Sequence, residues 1–146
     1  MHFSLNRTFV AATAALLLSV VPVWAEDVKF AADLKGASEV PANDAAGTGK
    51  VEATLDTETK ALTWNISYEG LTGEATGAHF HGPAKEDATA DPVVAIEGTL
   101  VSPYNGNATL TDAQIADLQA GLWYFNVHTA QYPDGELRGQ VLKSAM

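Results

Sequence analysis

Three histidines carry the chemistry that this sequence has to offer. His79 and His81 stand two apart in His79-Phe80-His81-Gly82-Pro83, and His128 follows in Asn126-Val127-His128-Thr129. The fourth histidine, His2, falls in an apolar leader, so these two segments hold every histidine of the remaining chain. Residues two apart on a strand point to one face, so His79 and His81 project together while Phe80 opposes them. Over residues 122–128 the same alternation sets Trp123, Phe125 and Val127 against Tyr124, Asn126 and His128. With Phe80 and the Trp123 row turned to a core, all three imidazoles lie on the outward face of the sheet. Three neutral imidazoles suit copper, zinc, nickel or iron. A three-histidine set with one open position is also the layout of catalytic zinc, whose further ligand is water.

Four other polar residues are placed to serve this cluster. Glu39, Asn126 and Glu136 are candidate oxygen ligands or hydrogen-bond partners that fix the tautomer of a ligand imidazole. If the segments flanking residues 129–135 pair as a hairpin, a register with His128 opposite Glu136 puts Asn126 opposite Arg138, about 5 Å across the strands. The same residues admit a second reading. In it the three histidines are hydrogen-bonded structural groups, and Glu39 or Glu136 pairs with Arg138 to hold loops on the sheet. Other chemistries find less support. No Gly-x-Ser-x-Gly elbow occurs, and Gly47-Thr48-Gly49 opens a strand rather than the helix a phosphate loop requires. Eighteen acidic residues single out no catalytic pair.

The leader comes first among the elements that position these groups. Arg7 precedes an apolar run over residues 9–23, and Val23-Trp24-Ala25 precedes Glu26, the pattern of a signal peptide cleaved after Ala25. The run is short for a bilayer span, so residues 1–25 read as a removable leader and the product as secreted or periplasmic, with no membrane span after cleavage. Residues 26–146 then make one domain of 121 residues. The leader holds one of the eight basic and none of the eighteen acidic residues, leaving a net charge of −11. Such a surface repels nucleic acid and anionic lipid. Without cysteine there is no disulfide and no thiolate, so the core alone holds the fold.

Alternation predicts strands over residues 28–34, 50–56, 62–69, 75–81, 93–100, 122–128 and 136–142. Residues 36–47, 82–92 and 102–107 read as loops, and the loop leaving His81 is placed to cover the histidine face. Thr111-Asp112-Ala113-Gln114 opens the single helix like a capping box, and Gly121 stops it. These elements predict an all-β fold, an antiparallel Greek-key β-sandwich of the immunoglobulin or superoxide-dismutase type with one short helix.

Taken together, the Glu39-Val40-Pro41 loop, the run Gly77-Ala78-His79-Phe80-His81-Gly82-Pro83-Ala84, the helix start at Leu110-Thr111-Asp112-Ala113-Gln114 and the closing Asn126-Val127-His128-Thr129 to Pro133-Asp134-Gly135-Glu136-Leu137-Arg138-Gly139 resemble the CHRD domain, named after chordin. The resemblance runs from about Val28 to Leu142 and is to a bacterial-type exported single-domain protein. It implies an exported β-sandwich with no established activity for most members, and extracellular protein binding for the chordin-type ones. The His-x-His strand with a distant histidine also looks like the copper side of Cu,Zn superoxide dismutase, a fold-level analogy. A complete bimetallic site needs further histidines that this chain lacks and is excluded. Two functions follow. One is an exported metal-binding domain, with copper favoured over zinc, open to superoxide chemistry or copper storage. The other is a non-catalytic module that binds a protein or the cell envelope through its loops.

Overall fold

A computed structural model describes residues 26–144. The residues 1–25 read as a signal peptide lie outside the described residues. Eight strands follow in chain order: β1 (Asp27–Lys35), β2 (Thr48–Asp56), β3 (Ala61–Glu69), β4 (Ala75–His81), β5 (Pro92–Ala95), β6 (Tyr104–Thr109), β7 (Trp123–Thr129) and β8 (Leu137–Lys143). One helix, α1 (Asp112–Gln119), precedes β7, and a single 3₁₀ turn (Gly36–Ser38) follows β1. The strands form one antiparallel sheet in the order β5-β4-β7-β8-β1-β2-β3-β6. The expected antiparallel, nearly all-β fold with one short helix is what the described residues adopt.

Alternation decides which residues meet inside. Phe30, Ala32 and Leu34 of β1, Val51, Ala53 and Leu55 of β2, and Leu62, Trp64 and Ile66 of β3 are buried, as are Ala78, Phe80, Trp123, Phe125 and Val127. Phe80 of β4 packs edge-on against Trp64 of β3, with ring centroids 5.3 Å apart. Those strands lie near opposite ends of the strand order, so the sheet curls over and closes on one shared core. Phe80 also meets Phe125 at 4.8 Å, so the residue between the two histidines anchors their strand.

Two elements differ from their expected form. Residues 104–109, expected as part of a turn-rich connection, form the edge strand β6 on β3. Its Asn and Gly content is unfavourable for a strand taken alone, but pairing and burial override local preference: Tyr104 packs inward while Asn105 and Asn107 stay exposed at the rim. Strand β5 ends at Ala95 rather than near residue 100, and Gly98, at φ 89°, turns the chain away. The helix begins as expected. Gln114 N donates to Thr111 Oγ1 at 3.2 Å, and Thr111 N donates to Gln114 Oε1 at 2.9 Å. Gly121, at φ 73°, supplies the left-handed stop that aims the chain into β7.

Candidate metal centre

The register of β4 on β7 brings the histidines together. His79 pairs with Asn126, His81 with Tyr124, and Gly77 with His128, all on the face turned away from the core. One donor nitrogen from each of His79, His81 and His128 falls in a group within 4.8 Å of one another. His79 Nδ1 and His128 Nε2 are 3.2 Å apart. The two rings are hydrogen-bonded to each other, at a separation close to the roughly 3.3 Å between two nitrogens held by one tetrahedral ion at 2.0–2.1 Å. Gly77 makes room beneath them: a Cβ there would stand 3.3 Å from His79 Cε1 and 3.7 Å from His128 Cδ2.

Backbone carbonyls set the tautomers. His81 Nδ1 lies 2.9 Å from Ala90 O, and His128 Nδ1 lies 2.9 Å from Pro133 O. A carbonyl oxygen only accepts, so both Nδ1 atoms carry the proton and each neutral ring keeps its lone pair on Nε2. Pinning one ring nitrogen so that the other serves as ligand is the usual arrangement around a metal-binding histidine. The Nε2 of His81 is not free, however. It sits 2.9 Å from Asn126 Oδ1. Asn126, a candidate oxygen ligand or hydrogen-bond partner of an imidazole, lies on the nitrogen that an ion would take. A charged His81 would donate to both oxygens, whereas a neutral one is served by the same carboxamide turned end for end, its NH2 on Nε2.

The loop leaving His81 does cover this face. Tyr124 Oη donates to Ala90 O at 3.2 Å, Arg138 Nη2 donates to Ala88 O at 2.6 Å and Lys85 O at 3.3 Å, and Gln140 Nε2 donates to Ala84 O at 2.8 Å. Tyr124 stacks on His81, with rings 4.7 Å apart and nearly parallel, and the Arg138 guanidinium lies 3.5 Å from the centre of the Tyr124 ring. The roof explains why both faces of β7 are buried. It also explains why His81 is 7 % exposed while His79 and His128 remain half-buried.

Burial holds His79 below the usual imidazole range, helped by the neighbouring His128 and His81. His81 is lowered too, chiefly by burial and against its hydrogen bonds to Ala90 and Asn126, which favour the charged ring. Both shifts favour neutral rings, the form that binds metal. Glu39 behaves oppositely. Burial pushes its carboxyl up to about 7, against the lowering effects of Arg138, the Val40 amide and Asn126.

Asn126 and Arg138 face each other across β7 and β8, as the hairpin register requires. The expected partnership of Arg138 with a carboxylate is not formed. Among the described residues the ion pairs are Lys50 with Glu52 and Lys60 with Asp112, both at the surface. Glu39 is buried beside Asn126 in the field of Arg138, and its Oε1 has no hydrogen-bond partner. Glu136 stands away from the histidines. Glu136 N donates to Val127 O at 2.7 Å although Val127 pairs with Leu137, so two residues of one strand oppose one of the other. Such a bulge leaves Glu136 on the side of Leu137 rather than of Arg138. There its carboxylate accepts from Thr72 N at 2.8 Å, Thr72 Oγ1 at 2.6 Å and Thr129 Oγ1 at 2.5 Å, tying the loop after β3 to the β7–β8 turn.

Sequence reasoning left out Tyr124 and the carbonyls of Ala90 and Pro133. Tyr124 was within reach, since it alternates onto the same face as Asn126 and His128; a backbone carbonyl carries no sequence signal.

The model of the CHRD domain family matches residues 30–141. No curated protein and no solved structure matches the chain. The match takes in β4, β7, the roof and all three histidines, and the chain belongs to the CHRD domain family.

Proposed function

We propose that this chain is an exported CHRD-domain protein that binds one transition-metal ion, copper first and zinc second, through His79, His81 and His128. One observation carries the reading: three imidazole donors converge, and two of them have Nδ1 pinned by a backbone carbonyl so that the neutral ring carries its lone pair on Nε2, turned toward the cluster. The donor set is borderline-soft nitrogen, which suits Cu(II) and Zn(II) and not Mg or Ca. Copper takes precedence because the leader over residues 1–25 reads as a secretory signal. Among the described residues no helix is long and apolar enough to cross a membrane. A redox copper ion at this position would support superoxide chemistry or copper storage.

The test is to dialyse the purified protein against each ion and count bound metal per chain, with intact mass reporting whether the chain starts at Glu26. One ion on the wild type and none on the triple variant His79→Ala, His81→Ala, His128→Ala is expected. Equal metal on both removes the proposal. A second reading, a non-catalytic module binding a protein or the envelope, is favoured by the fact that both ring nitrogens of His81 already have partners within the protein. Under it the triple variant loses stability and no metal.

A further inference from the structure

Asn126 is buried at 3 % exposure, and its place on β7 is fixed by pairing with His79 on one side and Arg138 on the other. Its carboxamide lies on His81 Nε2 at 2.9 Å. The opposite ring nitrogen is committed to Ala90 O, so His81 has only Nε2 to offer an ion. A partner that oriented His81 for metal binding would sit on Nδ1, and the loop carbonyl already does that. Asn126 therefore competes with the ion. His79 Nδ1 and His128 Nε2 face each other at 3.2 Å in a ring-to-ring hydrogen bond at the half-buried side of the cluster, so an ion entering between them replaces only the shared proton.

We propose that Asn126 is a latch that holds His81 out of the metal's coordination until an ion bridging His79 and His128 displaces it. This rests on the metal-binding reading of the same site. The consequence is a two-step site. His79 and His128 capture the ion first, at the more open side of the cluster. His81 joins by exchanging its Asn126 hydrogen bond for a metal bond, so the latch lowers affinity by about the worth of one buried hydrogen bond. Because an ion with a strong demand for a third nitrogen displaces the amide more readily than one content with water, Asn126 also tunes which ion is retained. Stacking of His81 on Tyr124 keeps the ring in place during the exchange, so only the amide moves.

Two measurements test this on the intact protein. The first is nitrogen-15 NMR of the wild-type histidine rings, without metal and during titration with Zn(II). The latch predicts His81 protonated on Nδ1 and hydrogen-bonded from the Asn126 NH2 at Nε2 in the metal-free protein, with that bond lost on saturation. A proton found on His81 Nε2, or an Asn126 bond that survives saturation, overturns it. The second compares metal affinity of the wild type and Asn126→Ala. Removing one net hydrogen bond predicts binding tighter by about tenfold in the variant. Unchanged or weaker binding in a folded variant overturns the latch while leaving the metal site standing. Should neither protein bind Cu(II) or Zn(II), the metal reading falls and the latch falls with it.

Discussion

His79 Nδ1 and His128 Nε2 lie 3.2 Å apart, although the two residues are separated by 49 positions in the chain. Strand register alone brings them there, with Gly77 beneath as the residue whose missing side chain lets the rings approach. Exchange of either histidine for alanine should abolish saturable metal binding. Both side chains are half-buried and outside the core, so stability should change by less than about 1 kcal/mol. Metal titration beside thermal unfolding of the same samples checks this.

Gly77→Ala probes the space under the pair. A Cβ at 3.3 Å from His79 Cε1 is tighter than an ordinary contact, so the ring must shift by a few tenths of an ångström. Metal affinity should drop by roughly tenfold, the size expected when the setting of a ligand is disturbed. Circular dichroism should show the sheet unchanged.

Arg138 is fully buried, with its guanidinium on the Tyr124 ring and on the carbonyls of Lys85 and Ala88. Arg138→Met keeps bulk but loses charge-assisted hydrogen bonds and the cation–π contact. The cost should be about 3 kcal/mol, read by denaturant unfolding. Hydrogen exchange should rise first in residues 82–91, the segment that Arg138 holds down.

Glu39 gives the domain a pH signature. Its carboxyl is raised from 4.5 to about 7 in the folded protein by burial. Between those values the folded chain holds a proton that the unfolded chain has released, so stability is full below about 4.5 and falls as pH rises through 7. The lowered imidazoles of His79 and His81 act in the other direction, costing stability as pH falls below 6.5. Comparing wild type with Glu39→Gln separates the two. The variant should lose the decline between pH 4.5 and 7 and keep the decline on the acid side.

The face carrying the histidines could be read from the chain because β4 and β7 pair in unbroken register from Ala78 opposite Val127 to His81 opposite Tyr124, so that period-two alternation applies there. The same rule placed Asn126 opposite Arg138 once the hairpin was assumed. It failed at Glu136, where a single extra residue before β8 turned the carboxylate to Thr72 and Thr129. A bulge is a local backbone choice that alternation does not foresee. Strand β6 escaped notice because asparagine and glycine form it only with β3 alongside. Glu39 came near the site as expected, yet it is buried without the arginine pair that its charge suggested; that depends on how closely the loop over residues 36–43 packs, which no spacing in the sequence encodes.

The most direct measurement is calorimetric titration of the purified protein with Cu(II) and with Zn(II), wild type beside His128→Ala. A three-histidine centre predicts saturable binding of one ion per chain on the wild type, reduced in the variant to the weak uptake of an acidic surface. Binding that never saturates on the wild type, or that is identical in the two proteins, contradicts it.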